Sequence, residues 1–326
     1  MSLWDSTHFA ALLTALALDA AFGEPAWLYR RVPHPVVAIG RAITWLDQHF
    51  NRTEWRDTRR RFGGTLALVV LLIPLVAAAW FVAKGLDGVP GGWFLEGALA
   101  SALIAQRSLH IHVAAVAQGL DAGGLTGGRQ AAAMLVGRNP ETLDAHGVCR
   151  AAIESCAENF SDGVVAPVFW YALLGLPGLL AYKAINTADS MIGHRNTMYR
   201  AFGWAAARID DLVNLAPARL AGLMIALATL KEGRAGAALT AMWRDAAGHR
   251  SVNAGWPEAA MAGGLGLALA GPRTYGREVV CDAWMGQGGR VEATADDVRR
   301  SLAVLRRCCA MLWVMAVAAL VYALAA

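Results

Sequence analysis

The chain has 326 residues, 56% of them hydrophobic and 17% charged, with a mean hydropathy of +0.40, whereas soluble domains carry about 25% charged residues. That balance excludes an ordinary soluble globule and points to an all-α polytopic membrane protein, a helical bundle of about five spans. The net charge of +4 is too small and too scattered for a nucleic-acid footprint, so no nucleic-acid partner is expected.

In chain order, residues 8–22 (HFAALLTALALDAAF) predict a short apolar helix that is retained, since it lacks a basic leader and carries Asp19. Pro25, Pro33 and Pro35 interrupt any helix that follows, and 36–50 predicts an amphipathic interfacial helix. The stretch 51–62 holds five arginines and precedes 65–83, 19 residues without a charge, enough to cross a hydrocarbon core of about 30 Å. Those arginines place that flank in the cytoplasm. The Gly/Pro-rich turn 84–92 sends 93–106, with Glu96 inside it, back antiparallel. Next come a helix over 107–121, a flexible loop at DAGGLTGGR, and helices over 129–136 and 141–160.

Residues 163–182 form a 20-residue apolar segment, read as a full span with partly buried polar flanks. A re-entrant hairpin broken at Pro167, Gly175, Pro177 or Gly178 is the alternative, tolerated only where protein or a wet cavity satisfies the backbone. In 203–230, Asp210, Asp211, Asn214 and Arg219 precede an apolar end. Residues 231–307 hold eleven Lys/Arg and several Gly/Pro turns, and 308–326 is a last uncharged 19-mer. The whole reads as one membrane domain, 1–326, with polar segments 107–162, 183–213 and 231–307. Five cysteines (Cys149, Cys156, Cys281, Cys308, Cys309) include no C-x-x-C pair, which argues for a reduced compartment and no structural metal. Cys149 and Cys156 share a helix face as packing residues.

Charges crowd both ends of the 163–182 segment. Glu154 and Glu158, at i and i+4, fall on one helix face about 6 Å apart, with Asn159 beside them and Asp162 one turn on. Close carboxylates repel unless a cation sits between them, and Mg²⁺ suits oxygen ligands and phosphates; a solvated helix face is the other reading. Lys183 alone would be a snorkelling lysine, but Asn186, Asp189, His194 and Arg195 follow it, and ionisable groups beside a span are functional by default. Only one of Asp210 and Asp211 can face inward with Asn214. Asn253, Trp256 and Glu258 occupy a turn that opens a small-residue helix, whose N-terminus would suit an anion and whose Gly/Ala face would suit close packing. GGLTGG and GQGG lack the Lys-Ser/Thr of a phosphate loop, and His110 and His112 are wrongly spaced for a helical metal pair.

The segments GEP…PHPVVAIGR (23–41), ESCAENFSDGVVAPVFWYALLGLPGLLAYKAINTADSMIGHR (154–195) with Arg138 before it, YRAFGWAAARIDDLVNLAPARL (199–220) and NAGWPEAAMAGGLGLALAGPRTYG (253–276) occur in this order over nearly the whole chain. In them the chain resembles the CobD/CbiB family of cobalamin biosynthesis. It departs at Glu24, where the pattern has Gly-Asp-Pro, and at Asn139-Pro140, where Gly-Arg-Asp-Thr is expected. The resemblance implies an adenosylcobinamide-phosphate synthase, an ATP-dependent amide ligase. Such an enzyme joins (R)-1-amino-2-propanol, or its O-phosphate, to the propionate carboxylate of adenosylcobyric acid. ATP and Mg²⁺ are then the expected cofactors, with Glu154, Glu158, Asp162 and Asp210 as candidate metal ligands. Glu154, Glu158, Lys183, Asp189 and His194 are the candidate catalytic residues. Arg138, Asn159, Asn186, Arg195, Asn253, Trp256 and Glu258 are candidates for substrate and phosphate binding.

The expected partners are adenosylcobyric acid, aminopropanol phosphate, the lipid bilayer and other membrane enzymes of the corrinoid pathway. The expected location is the inner membrane, multi-pass, with a site facing the cytoplasm. Trp170, Tyr171, Tyr182, Trp204, Trp256 and Tyr275 could line a groove for a flat corrinoid, although core packing or an aromatic belt accounts for any one of them. A transporter, and a non-enzymatic membrane sensor of the AmpE type, remain the alternatives. If both charged ends of 163–182 serve one reaction, a straight helix holding them about 30 Å apart will not do, and the span must bend or break at Pro167 or at Gly175-Pro177-Gly178.

Overall fold

Caps and apolar stripes account for most of the elements in the computed structural model, which describes residues 4–136, 140–275 and 278–326. In chain order the helices are α1 (Ser6–Phe22), α2 (Ala26–Tyr29), α3 (Pro35–Phe50), α4 (Asp57–Asp87), α5 (Gly92–Ser101), α6 (Gln106–Ala132), α7 (Ala145–Phe160), α8 (Ala166–Ile192), α9 (Trp204–Val213), α10 (Leu215–Ala228), α11 (Ala235–Asp245), α12 (Gly255–Leu265) and α13 (Ala295–Ala325). Asp5 caps α1 by accepting from the His8 N–H at 3.0 Å, and Asp144 caps α7 by accepting from the Gly147 N–H at 2.6 Å. Among the described residues four helical stretches are long and apolar enough to cross a membrane: Asp57–Asp87, Gly92–Ala132, Ala145–Ile192 and Ala295–Ala325. Counting the consecutive pair Trp204–Val213 and Leu215–Glu232 as one span gives five. Ile73 and Phe81 on α4 and Val314 and Val321 on α13 point outward, as residues solvated by lipid do.

The expected span at 163–182 is helical but not straight. A π-helical turn, Ser161–Val165, joins α7 to α8, and α8 itself breaks at Gly175, whose φ of 67° and ψ of −157° only glycine adopts at low cost. The break puts Pro177 in the first turn of the following helical segment, where its missing N–H costs nothing. DAGGLTGGR, expected as a loop, is helical up to and beyond a break at Gly124 (φ 57°, ψ −146°). The final helix starts at Ala295 rather than near 308, because the acidic first turn and the arginines after it still follow a helical apolar stripe. One two-stranded antiparallel sheet was not expected: β1 (Leu269–Tyr275) pairs with β2 (Glu278–Met285), with a bulge between Ala270 and Pro272.

The contacts divide the chain into two units. The first comprises residues 1–105, 166–214 and 315–326, and the second 106–165 and 215–314. In the first unit the core is built by α3 (Ile39, Ile43, Leu46), α4 (Ala67, Leu68, Leu71), α8 (Ala184, Ala188, Ile192) and α9 (Ala205, Ala206). The i, i+4, i+8 stripe of α8 leaves Tyr182, Asn186 and Asp189 on the opposite face. Arg60, one of the five arginines read as a topology signal, is buried. It donates to Asn51 Oδ1 at 2.9 Å and to the carbonyls of Thr197 and Met198, which fixes the loop after α8. Tyr199 donates to Asp47 at 3.1 Å and holds the same loop on α3.

Elsewhere in this unit the buried Tyr171 hydroxyl donates to Glu96 at 2.8 Å and its ring stacks on His8 at 5.0 Å. Tyr171→Phe strips a buried carboxylate of this donor and is expected to cost about 1–3 kcal/mol, read as a lower unfolding midpoint in detergent. Tyr171→Phe combined with Glu96→Gln should recover part of the loss.

In the second unit α12 is buried along its whole length and packs on α7, α10 and α11, the close packing its Gly/Ala face allows. Asp245, at the end of α11, ties that helix to the turn after β2: it accepts from Arg244 at 2.6 Å, the Gly286 N–H at 2.7 Å and the Gln287 N–H at 3.1 Å. Burial works to raise this carboxyl, but the hydrogen bonds and the Arg244 charge outweigh it and hold Asp245 below the usual carboxylate range. A depressed carboxyl stabilises the fold above the ordinary carboxylate value, and that contribution is lost as pH falls through the lower folded value. Wild type is therefore expected to melt above Asp245→Asn near pH 7, with the gap closing as the pH falls below about 4, followed by thermal unfolding in detergent.

Candidate functional site

The polar face of α8 meets α9 in the first unit. Asp210 is buried and accepts from Asn186 at 3.3 Å and from Asn214 at 3.0 Å, while Tyr182 donates to Asn214 Oδ1 at 3.0 Å. Asp189, one turn beyond Asn186 and half-buried, lies within electrostatic reach of Asp210, Asp211 and His194. As expected, only one of the paired aspartates faces inward: Asp211 pairs with Arg208 at 3.0 Å toward the surface.

Lys183 belongs to the adjoining part of the face, and the imidazole within its electrostatic reach was not anticipated. His34, the N-cap of α3, lies within electrostatic reach of both Lys183 and Glu24, and its ring contacts Tyr29 at 4.5 Å. The Val36 N–H donates to His34 Nδ1 at 3.2 Å, so the proton of the neutral ring is on Nε2. Burial lowers the His34 imidazole from its ordinary value; Glu24 opposes this and Lys183 adds to it. The flanking Pro33 and Pro35 were the only local signal of a fixed residue there.

The other candidates scatter more. His194 and Arg195 are exposed, with the His194 ring 6.3 Å from that of Tyr199. In the second unit the shared face expected for Glu154 and Glu158 divides. Glu154 is buried and accepts from the Ala270 N–H at 2.8 Å, at the bulge where Ala270 has a φ of 59°, whereas Glu158 is exposed. The cause is that α7 lies against β1 at the Glu154 level. Asn159 is also exposed and donates to the Ser155 carbonyl at 2.9 Å; Asp162 lies on the π-helical turn. Asn253 accepts from Arg219 at 2.7 Å, and Arg219 stacks over Trp256 at 4.4 Å. Glu258 is buried with His249 at 3.6 Å. Arg138 lies outside the described residues. Cys149 and Cys156 are buried free thiols, in keeping with a packing role.

Among the described residues no three His, Cys, Asp or Glu side chains stand together as a metal cage. The donors present still fit Mg²⁺, which is usually bound by one or two carboxylates, waters and the phosphates of a substrate. Asp189 and Asp210 supply hard oxygens, and the amides of Asn186 and Asn214 orient Asp210.

Helices of this length and apolarity, with an acid- and amide-lined face at the end of one of them, define an all-α polytopic membrane protein with a polar site beside its apolar layer. Comparison with known proteins narrows this class: the profile of the CobD/Cbib protein family matches residues 12–305, and the chain belongs to that family. It is 51% identical over 321 residues to the cobalamin biosynthesis protein CobD of a Sinorhizobium species, covering 96% of this chain and 98% of the relative. It is 51% identical to the CobD protein of Brucella suis (89% and 90% covered) and 50% identical to that of Rhodobacter capsulatus (92% and 94% covered). No solved structure matches the chain.

Proposed function

We propose that this chain acts in cobalamin biosynthesis as an ATP-dependent amide ligase. It joins (R)-1-amino-2-propanol, or its O-phosphate, to the propionate carboxylate of adenosylcobyric acid and gives adenosylcobinamide or its phosphate. The observation that carries this reading is the Asn186–Asp210–Asn214 network with Asp189 and Lys183 beside it, on the polar face of α8, in a chain about half identical to CobD proteins along its length. A carboxylate and an amine do not condense in water unless the carboxylate is activated; ATP with Mg²⁺ supplies that activation.

The chain's own residues then have distinct tasks. Lys183 offers a point charge to a phosphate or carboxylate oxygen, with His34 kept neutral next to it so that the two do not repel. Asp189 and Asp210 are the oxygen donors for a cation, and Asn186 and Asn214 hold Asp210 in one orientation. Asp189, near the exposed end of the helix, is placed to take the proton that the amine nitrogen must lose as the C–N bond forms and the activating phosphate leaves the carboxyl carbon. Glu154 acts through the fold by satisfying the Ala270 N–H, while Glu158 and Asn159 lie exposed at the end of α7.

The test is purified protein with adenosylcobyric acid, aminopropanol phosphate, ATP and Mg²⁺, followed by mass spectrometry. An ATP-dependent amide product is expected. Its absence, together with normal corrinoid levels in a deletion strain, would sink the proposal.

A further inference from the structure

A cavity of about 480 Å³ lies wholly within the second unit, and among the described residues its wall contains four arginines, Arg234, Arg244, Arg290 and Arg300, and no acidic residue. Its floor is the glycine-rich turn 286–289 that follows β2. Cations enclosing a cleft repel one another, so the arrangement needs compensation, and the compensation stands behind the guanidinium groups rather than among them. Asp245 takes Arg244 at 2.6 Å; Asp297 takes Arg290 at 2.6 Å and Arg300 at 2.9 Å. Among the described residues Arg234 is braced by a carbonyl, with Nε and Nη2 donating to Gly263 at 3.2 and 3.1 Å. Four cations are thus balanced by two carboxylates, each aimed by its brace.

Not every donor on these arginines is taken. Nη1 of Arg234, Nη1 of Arg244, and Nε and Nη2 of Arg300 make no hydrogen bond among the described residues. Several guanidinium groups held apart by braces, with spare N–H donors in a cleft within the size range of ligand pockets, match an anion with several oxygens. We infer that this cavity binds the phosphate groups of a phosphorylated substrate. Whether they belong to a nucleoside triphosphate or to the phosphorylated aminoalcohol rests on the proposed reaction; phosphate binding itself does not.

The experiment is arginine modification of the full-length protein in detergent by a dicarbonyl reagent, mapped by mass spectrometry, with no turnover required. Inorganic tripolyphosphate, ATP and aminopropanol O-phosphate are added in separate arms. At least one of them is expected to slow modification of Arg234, Arg244 and Arg300 by about tenfold or more. Arg299, which pairs with Asp296 and Asp121 outside the cavity, should react unchanged. Protection by ATP and tripolyphosphate assigns the cavity to the nucleotide, and protection by the aminoalcohol phosphate assigns it to the amine donor. Equal modification in every arm overturns the inference. As a second measurement, Arg234→Gln with Arg300→Gln should weaken binding of the protecting anion about 100-fold, while Arg299→Gln leaves it unchanged. Because wild-type protection is read without catalysis, failure of the ligase assay and failure of this inference are separate outcomes.

Discussion

Replacing Asp210 with asparagine is expected to lower ATP-dependent amide formation by about 10²–10⁴-fold while the helical content is kept. The substitution preserves shape but not the acceptor pattern. Asp210 faces two amide donors, Asn186 and Asn214, and an asparagine would turn its own NH₂ toward one of them. It would also remove one of the two carboxylates able to face a cation. Asp211→Asn is the control: that side chain pairs with Arg208 toward the surface, so its loss should change the rate little. Full activity in Asp210→Asn would remove this cluster from the mechanism.

A large effect on stability is expected at Gly64. A methyl group there would stand 1.8 Å from the Phe202 carbonyl oxygen and 2.8 Å from its carbon. Both are backbone atoms in the turn that leads into α9, so no rotamer change relieves the clash. Gly64→Ala is expected to cost about 3 kcal/mol or more, at the upper end of overpacking effects, and to displace the turn that sets Asp210. Gly85→Ala lies on the same helix with nothing within 4 Å and should be neutral or slightly stabilising, by up to about 1 kcal/mol. Unfolding midpoints of the two variants in one detergent make the comparison.

Periodicity and composition carried the helices, because a stripe such as Ile39, Ile43 and Leu46 is written locally. They also exposed the polar face of α8, where Asn186 and Asp189 sit at helical spacing. What local pattern could not reveal is which distant segment covers each face. His34 comes within electrostatic reach of Lys183 across most of the first unit's sequence, and nothing near Lys183 announces the imidazole. Glu154 and Glu158 share a face by spacing, yet one is covered by β1 and the other is not, and β1 itself was hidden. Its sequence, LAGPRTY, looks like a turn because Gly271 and Pro272 interrupt any alternating apolar pattern. The break in α8 was anticipated as one of two positions, and Gly175 rather than Pro167 is where it falls.

That break has an electrostatic consequence. Interrupting α8 at Gly175 makes residues 176–192 a helix with ends of its own, and its last turn carries Asp189. The aligned peptide dipoles of such a helix place roughly half a negative charge at its C-terminal end. The backbone therefore adds to the carboxylates there, so the end that holds Asp189 attracts a metal ion or a substrate ammonium and repels a bare phosphate.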